Sequence, residues 1–356
     1  MQPLLEQLTA RVHAAPELSL SEIELAVAEL TTADLHEDSA VDFLRALAQR
    51  GETPGEIVGF ARLLRERARE FPVDVARLPG PLLDVCGTGG DGVNTFNIST
   101  TTSFVLAAGG VAVAKHGGRA NSSRSGGVDV LAALGIRVAG VPAVEARQCL
   151  EQHGLCFLFA PDYHPAFAAG VRARRRLAQE GISTIFNLLG PILNPAREKR
   201  QLLGVFTPRL LPKMAEVFRL LERERAWAIH GTLGNEASTE STRGMDELSV
   251  LGESHVSRWE HGAISHGKIS PADAGLPRHG CIDDLRGGDP VENARITSGI
   301  LAGEIKDARL DVVLLNAAAG FVIAGLDKDL STGAERARAQ VRNGRALAKL
   351  RTLQAF

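Results

Sequence analysis

A glycine-rich run at residues 87–92, GTGGDG, is the segment of this 356-residue chain that points most directly to chemistry. The apolar residues 82–86 before it predict a buried strand, and residues 101–108 after it predict a helix. Glycines let backbone N–H groups approach a ligand, and a strand-to-helix turn suits phosphate. The glycine spacing is not that of a dinucleotide fingerprint, and no Gly-Lys-Ser/Thr of a nucleotide triphosphate loop follows. The run predicts a phosphate contact, with a plain tight turn as the alternative.

Two polar segments follow the glycine run and strengthen that prediction. Residues 94–100, NTFNIST, place five small polar side chains in seven positions before the predicted helix. Helix capping uses only part of them, so the others can bind phosphate oxygens. Residues 115–127, KHGGRANSSRSGG, follow a predicted strand at 111–114 and carry a lysine and two arginines among glycines and serines. This pattern favours a polyanion clamp over a solvated surface loop.

An adjacent pair of carboxylates, Asp246 and Glu247, is the candidate metal site. Such a pair in isolation is usually a solvated surface feature. Magnesium, however, prefers oxygen ligands and often bridges carboxylates to a substrate's phosphates. Next to a predicted phosphate site, the pair therefore indicates magnesium.

The composition excludes several classes of protein. Apolar residues make up 44% of the chain and charged residues 23%, so a packed core is expected, and the net charge of −2 argues against nucleic-acid binding. The four cysteines lack CxxC spacing, which predicts reduced thiols in a cytoplasmic protein. No signal peptide is recognised at the N-terminus, and residues 310–326 are too short and polar for a membrane span. Their apolar run at 312–315 predicts a buried strand that leads into a buried helix.

The element pattern predicts an α/β protein with a small helical domain. Capping-box spacings at Ser19/Glu22 and Thr53/Glu56 predict two helix starts within residues 1–75. Short apolar runs then alternate with helical patterns over residues 76–356, as expected for a largely parallel sheet covered by helices. A further helical segment near residues 165–190 is expected to pack with the first domain.

Together these segments resemble the anthranilate phosphoribosyltransferase family over nearly the whole chain. The motifs that carry the resemblance are GETP at 51–54, GTGGDG at 87–92, NTFNIST at 94–100, KHG at 115–117, SS at 122–123, YHP at 163–165, IFNLLGP at 185–191, NP at 194–195, HG at 230–231, MDE at 245–247 and LNAA at 315–318. Several motifs in the family's order are far more specific than any one of them.

The resemblance implies the fold shared with certain nucleoside phosphorylases, a homodimer joined through the helical domains, and no role for a membrane. It implies phosphoribosyl pyrophosphate and anthranilate as substrates, with Mg²⁺ as the cofactor. The phosphoribosyl pyrophosphate residues implied are Gly87, Gly90, Asp91, Thr95, Asn97, Ile98, Ser99, Thr100, Lys115, His116, Gly117, Gly118, Arg119, Ala120, Asn121, Ser122, Ser123 and Gly127. The anthranilate residues implied are Gly87, Gly118, His164 and Arg174, and the metal ligands implied are Ser99, Asp246 and Glu247. No general base is assigned.

Three departures from the family pattern concern the acceptor or metal side. The family's usual asparagine is replaced by Gly118, with Asn121 as a possible substitute contact. About three residues are added near 178–180, with Ser183 where arginine is common, and about ten residues are added at 233–242. The alternatives are therefore a paralogue with another aromatic amine acceptor, a nucleoside phosphorylase, or a non-catalytic nucleic-acid-binding relative. The carboxylate pair and the net charge argue against the last.

Overall fold

The computed structural model describes residues 3–119, 125–234 and 244–356. The chain divides into two compact units, a helical unit of residues 1–70 with 160–195 and a sheet unit of residues 71–159 with 196–356. The helices are α1 (Leu4–Ala14), α2 (Leu20–Leu30), α3 (Glu37–Arg50), α4 (Pro54–Glu66), α5 (Ile98–Ala108), α6 (Gly127–Ala133), α7 (Ala143–His153), α8 (Ala160–Tyr163), α9 (Val171–Gln179), α10 (Ile185–Ile192), α11 (Leu210–Leu220), α12 (Pro290–Leu301), α13 (Ala308–Ala324), α14 (Leu330–Arg342) and α15 (Arg345–Ala355). The strands are β1 (Leu82–Gly87), β2 (Ala112–Gly117), β3 (Leu155–Phe159), β4 (Arg200–Gly204), β5 (Arg225–Thr232), β6 (Gly244–Met245), β7 (Ser254–Glu260) and β8 (Ala263–Ile269).

The helical unit begins as its capping signals predict. The Ser19 side chain accepts from the Glu22 N–H at the start of α2, and the Thr53 side chain accepts from the Glu56 N–H at the start of α4. In both capping boxes the glutamate side chain accepts in return from the backbone N–H of the capping residue, as the sequence predicts. Glu56 is only 1% exposed and also accepts from the Leu18 N–H at 2.8 Å, so this cap ties the α1–α2 loop to α4.

The sheet unit has a largely parallel sheet, which confirms the predicted fold class. The strand order is β3-β2-β1-β4-β5-β7-β8, and β6 pairs with β5. Strands β1 to β5 run parallel, whereas β6, β7 and β8 pair antiparallel. The carboxyl ends of neighbouring parallel strands share one edge, where α/β proteins bind ligands. The segments after β1 and β2 therefore lie side by side at this edge.

One element differs from the sequence prediction. The predicted strand at 312–315 is wrong, because these residues belong to the 17-residue helix α13. Periodicity alone does not separate a short apolar strand from a buried helix. Asp307 caps the start of α13, and Gly325 ends it with a φ of 78°. Within the described residues, no helix combines the length and the apolar character that a membrane span requires.

The cap of α4 provides a test of the helical unit. We expect Thr53→Ala to destabilise the protein by about 1 kcal/mol, because the Glu56 N–H loses its acceptor at a buried helix start. Thermal unfolding followed by circular dichroism measures the change. Ser19→Ala, which removes the more exposed cap of α2, is the control and should have a smaller effect. Equal melting temperatures for wild type and Thr53→Ala would contradict the assignment.

Candidate active site

The glycine run turns sharply away from the end of β1. Gly89, Gly90 and Gly92 have φ values of 67°, 82° and 70°, which L side chains rarely adopt. The run is anchored to the neighbouring strand, because the Thr88 N–H donates to the Gly204 carbonyl at 2.9 Å. Gly89 and Gly90 are exposed, so their backbone faces solvent at the sheet edge. This is the backbone surface that the sequence predicts for a phosphate contact.

The predicted carboxylate pair lies against this run, although it is more than 150 residues away in sequence. Asp246 Oδ2 accepts from the Gly89 N–H at 2.7 Å, and the Asp246 N–H donates to Asp91 Oδ2 at 3.3 Å. Glu247 Oε1 accepts from the Ser99 N–H at 3.0 Å in the first turn of α5. The structure therefore brings together the glycine run, the polar segment and the carboxylates. We call residues 244–248 the carboxylate turn.

Three glycines allow the carboxylate turn to lie directly on the strand ends. A Cβ at Gly87 would lie 2.2 Å from Asp246 Oδ2, and one at Gly204 would lie 1.5 Å from the Asp246 carbonyl oxygen. A Cβ at Gly231 would lie 2.4 Å from the Glu247 carbonyl oxygen. A side chain at Gly204 or Gly231 would force the backbone of the turn away from the sheet, and one at Gly87 would displace the Asp246 carboxylate. The requirement for glycine here comes from close approach of two backbone segments.

A lysine supplies positive charge beside the carboxylates. Lys115, near the end of β2, is 8% exposed, and its Nζ donates to the Val85 carbonyl at 2.5 Å and to Ser99 Oγ at 3.0 Å. These bonds fix the ammonium group between β1, β2 and the start of α5. The sequence predicts Lys115 as part of a polyanion clamp, and in the structure it is a buried part of the sheet edge.

The electrostatics of the pair favour a bound cation. Burial, followed by the charge of Asp246, raises the pKa of Glu247 to about 8, and Lys115 opposes this rise. Burial and the neighbouring Asp91 also raise the pKa of Asp246. Among the described residues, no cluster of three or more His, Cys, Asp or Glu side chains is arranged to hold a metal. Two carboxylates alone leave most positions around a hard cation to other oxygens.

Asn97 has a structural role that its position in the polar segment did not indicate. Its Oδ1 accepts from Asn293 Nδ2 at 2.9 Å, and its Nδ2 donates to the Ser125 carbonyl at 3.3 Å. Asn293, on α12, is 1% exposed and accepts from the Gly288 N–H at 2.8 Å. Sequence reasoning missed Asn293, since no local motif links it to residues so far away. The Ile98 side chain is buried, and its N–H donates to the Phe96 carbonyl at 2.7 Å.

The second predicted loop is described only in part. Arg119 is exposed, and its Nη1 lies 3.0 Å from Asp129 Oδ1, with the guanidinium 5.8 Å from the Phe159 ring centroid. At Gly118, an added Cβ would meet no atom within 4 Å. The predicted site residues Ala120, Asn121, Ser122 and Ser123 lie outside the described residues. The other predicted phosphate-side residues follow β1, end β2, or begin α5 and α6: Gly90, Asp91, Thr95, Thr100, His116, Gly117 and Gly127.

The helical unit holds the other two predicted residues, Arg174 and His164. The Arg174 guanidinium lies 4.6 Å from the Phe186 ring centroid and 5.5 Å from that of Phe167, and Nη2 donates to the Phe167 carbonyl at 2.7 Å. Burial lowers its pKa to about 10, so it stays cationic at neutral pH. Burial lowers the pKa of His164 to about 4, and its Nε2 donates to the Leu193 carbonyl at 2.9 Å. His164 is therefore a neutral, fixed ring that stacks on Phe167 at 5.3 Å.

The structure describes the added segment near 178–180 fully and the added segment at 233–242 only in part. Residues 178–179 complete α9, and Glu180 follows it with an ion pair to Arg45 on α3 at 2.5 Å. A second ion pair, Arg176 to Asp38, joins the same helices at 2.7 Å. The first addition therefore extends α9 along α3. Of the second addition, residues 233–234 are described, and residues 235–242 lie outside the described residues.

Comparison with known proteins places this geometry in a family. The a/b domain of a glycosyl transferase family matches residues 79–347, and that family's helical bundle domain matches residues 2–68. An anthranilate phosphoribosyltransferase of Anaeromyxobacter dehalogenans is 43% identical over 99% of this chain and 98% of that protein. The Thermus thermophilus enzyme structure has 38% identity and a TM-score of 0.85, covering 99% of this chain and 98% of its own. The Saccharomyces cerevisiae enzyme in complex with phosphoribosyl pyrophosphate and Mg has 27% identity and a TM-score of 0.83, covering 99% and 97%.

The raised pKa of Glu247 predicts a pH-dependent stability in the ligand-free protein. Between pH 4.5 and about 8, the folded state retains a proton that the unfolded carboxyl has lost, so stability falls as pH rises. Glu247→Gln imitates the neutral form and keeps the acceptor for the Ser99 N–H. We expect it to melt a few degrees higher than wild type at pH 8 and at the same temperature at pH 4.5.

Thermal melts of both proteins without metal or phosphate measure this difference. Glu260→Gln, an exchange at a partly exposed glutamate that is paired with Arg225, is the matched control and should not melt at a higher temperature than wild type at pH 8. A lower melting temperature for Glu247→Gln at pH 8 would mean that the charged carboxylate is stabilised, which would contradict burial as the cause of the raised pKa.

Proposed function

Because the chain belongs to the anthranilate phosphoribosyltransferase family, we propose that it transfers the phosphoribosyl group of phosphoribosyl pyrophosphate to the amine of anthranilate, with release of pyrophosphate. This is the corresponding step of tryptophan biosynthesis. The observation that carries the proposal is the assembly of the glycine run, Ser99, Lys115 and the carboxylate turn at one sheet edge. Together they offer backbone donors, a buried cation and two carboxylates to a ligand rich in phosphate.

The donor-binding residues are proposed on the sheet unit. The exposed backbone of Gly90 and the first turn of α5 suit phosphate oxygens, whereas the Gly89 and Ser99 N–H groups already donate to Asp246 and Glu247. The Lys115 ammonium adds positive charge from the side of the sheet, and the segment at 115–127 adds further polar side chains and backbone groups. The residues proposed for phosphoribosyl pyrophosphate are Gly87, Gly90, Asp91, Thr95, Asn97, Ile98, Ser99, Thr100, Lys115, His116, Gly117, Gly118, Arg119, Ala120, Asn121, Ser122, Ser123 and Gly127.

Magnesium fits the carboxylate turn, and Ser99, Asp246 and Glu247 are the residues proposed to hold it. Their donors are hard oxygens, and burial of two adjacent carboxylates raises both pKa values when no cation balances them. Bound there, magnesium would neutralise charge that develops on the leaving pyrophosphate. Because the protein offers so few ligands, the phosphates themselves and water are expected to complete the coordination.

The chemistry requires positioning more than proton transfer. The amine of anthranilate attacks the anomeric carbon, the bond from that carbon to the pyrophosphate oxygen breaks, and the amine loses a proton. An aromatic amine is uncharged at neutral pH, so its lone pair is available without a strong base. The fixed donors of the sheet edge hold the phosphates, and this preorganisation supplies most of the rate. We assign no general base.

The acceptor residues are proposed within each unit separately. In the helical unit, Arg174 is a half-buried cation with no ion pair to any carboxylate of the described residues, so it suits the carboxylate of anthranilate. His164, neutral and fixed, is proposed as a contact for the aromatic ring. In the sheet unit, Gly87 and Gly118 are the proposed acceptor contacts.

We also propose a homodimer and a cytoplasmic location. Leu20 and Leu25 on α2 are 60% and 46% exposed, and such apolar side chains on the helical unit support burial against a second copy. Within the described residues, the thiols of Cys86, Cys149 and Cys156 are buried and form no disulfide, as is usual in a reducing compartment. Sedimentation velocity measures the oligomeric state.

The test of the function is the loss of anthranilate fluorescence when protein, phosphoribosyl pyrophosphate and Mg²⁺ are mixed. We expect wild type to consume anthranilate. We expect Asp246→Asn combined with Glu247→Gln to raise the Mg²⁺ requirement and to reduce kcat/KM at least about 100-fold, the order seen when a preorganised electrostatic contact is lost. Asp284→Asn with Asp283→Asn, at an exposed acidic pair, is the matched control.

Other outcomes identify the rival functions. Phosphate-dependent release of base from thymidine, with no loss of anthranilate, would identify a nucleoside phosphorylase. Tight binding of single-stranded DNA with no turnover would identify a non-catalytic relative. Unchanged kinetics in the double carboxylate variant would remove the metal assignment.

Gly118 gives a separate test of the acceptor side. An added Cβ there meets no atom within 4 Å, and the backbone is not left-handed, so a side chain fits. We expect Gly118→Asn to lower the KM for anthranilate about five-fold, because one neutral hydrogen bond contributes about 1 kcal/mol. The KM for phosphoribosyl pyrophosphate should change less, because Gly118 can contact that ligand only through its backbone, which the substitution retains. Gly118→Ala, which adds no amide, is the control, and an equal effect of both variants would contradict an amide contact.

A further inference from the structure

Asn316 is a buried polar side chain on α13 that the proposed reaction does not use directly. It is 1% exposed and lies in the middle of an otherwise largely apolar helix. Asparagine is a weak helix former, and its amide needs partners when it is buried. An apolar side chain of similar shape would avoid both costs. The residue at this position therefore has a role besides packing.

The side-chain amide of Asn316 hydrogen-bonds both the backbone N–H and the backbone carbonyl of Leu248, in the carboxylate turn. Its Oδ1 accepts from the Leu248 N–H at 3.0 Å, and its Nδ2 donates to the Leu248 carbonyl at 3.0 Å. The same Nδ2 donates to the Val312 carbonyl at 2.9 Å, one helical turn earlier on α13. The side chain is thus fixed in its own helix and presents a strand-like pair of hydrogen bonds to Leu248.

These bonds act on the carboxylates because Leu248 directly follows Glu247. The start of the turn is set by strand pairing, since Met245 on β6 lies opposite Gly231 on β5. The middle is set by the contact of the Asp246 carbonyl with Gly204. The hydrogen bonds from Asn316 to Leu248 fix the C-terminal end of the turn. Without these bonds, Glu247 would keep its hydrogen bond from the Ser99 N–H, but the position of the adjoining Leu248 backbone would no longer be fixed.

We propose that Asn316 is a positioning residue that sets the geometry of the Asp246–Glu247 pair by pinning Leu248, and so tunes the cation-dependent part of phosphoribosyl pyrophosphate binding. The inference rests on the proposed function of the same site. Residues that orient metal ligands in this way affect metal affinity without touching the metal. We expect the effect to depend on the cation, because Leu248 adjoins Glu247 and its backbone binds Asn316 instead of the glycine run.

Calorimetric titration of phosphoribosyl pyrophosphate into the full chain, with and without Mg²⁺, tests this role without relying on turnover. Asn316→Leu keeps the shape of the side chain and removes both bonds to Leu248. Asn316→Ser leaves room for water to satisfy the Leu248 backbone, so it retains the fold if Asn316→Leu does not. We expect both variants to weaken binding roughly 10-fold with Mg²⁺, and to bind as wild type does without it.

The control separates positioning from stability. Ile323→Ala lies on the same helix, seven residues or roughly 10 Å further along, and is equally buried. It should lower the melting temperature yet leave the Mg²⁺-dependent affinity unchanged. Wild-type affinity in Asn316→Ser with Mg²⁺, or an equal loss with and without Mg²⁺, would overturn the proposal. A wild-type chain that binds no phosphoribosyl pyrophosphate under either condition would instead overturn the proposed function, and this inference with it.

Discussion

The close approach of the carboxylate turn to the strand ends is the constraint on which the site depends. Gly87, Gly204 and Gly231 come from three different strands, and each leaves the space that the backbone or side chain of the turn occupies. This contact brings Asp246 to the glycine run and Glu247 to the start of α5. A parallel sheet provides the shared edge, and the glycines allow the distant turn to lie on it.

The electrostatics of the site follow from that packing. Two carboxylates are held next to each other in a buried place, with Lys115 and backbone N–H groups as the partners. Such a site is unfavourable when both carboxylates are charged and no cation is present. The same property makes it selective for a ligand that brings cation and phosphate together. Because the bound molecule brings both the cation and phosphate oxygens that coordinate it, few coordinating side chains from the protein are needed.

Local signals in the sequence predicted much of the fold. The capping boxes at Ser19 and Thr53 and the strand before Gly87 depend on neighbouring residues, so they could be recognised. The helix α13 was misread as a strand at 312–315, because a short apolar run has no distinctive period. The antiparallel β7 and β8 were not predicted, since nothing local indicates their addition to the sheet edge beyond β5.

Only those residues of the site that lie in recognisable motifs could be predicted from the sequence. The glycine run and the carboxylates were expected from residue type, and the resemblance placed them together. Asn293 and Asn316 were not expected, because their partners lie 196 and 68 residues away and are set by the tertiary fold. For the same reason, the sequence did not indicate that Lys115 is buried beneath Ser99 instead of lying on a loop.

We expect the carboxylate pair to hold a cation tightly only when phosphates complete its coordination. Electron paramagnetic resonance of Mn²⁺, a paramagnetic substitute for Mg²⁺, measures free and bound ion directly. We expect weak Mn²⁺ binding by the protein alone, and a single tightly bound ion per chain once phosphoribosyl pyrophosphate is added. Equally tight Mn²⁺ binding without phosphoribosyl pyrophosphate would contradict it.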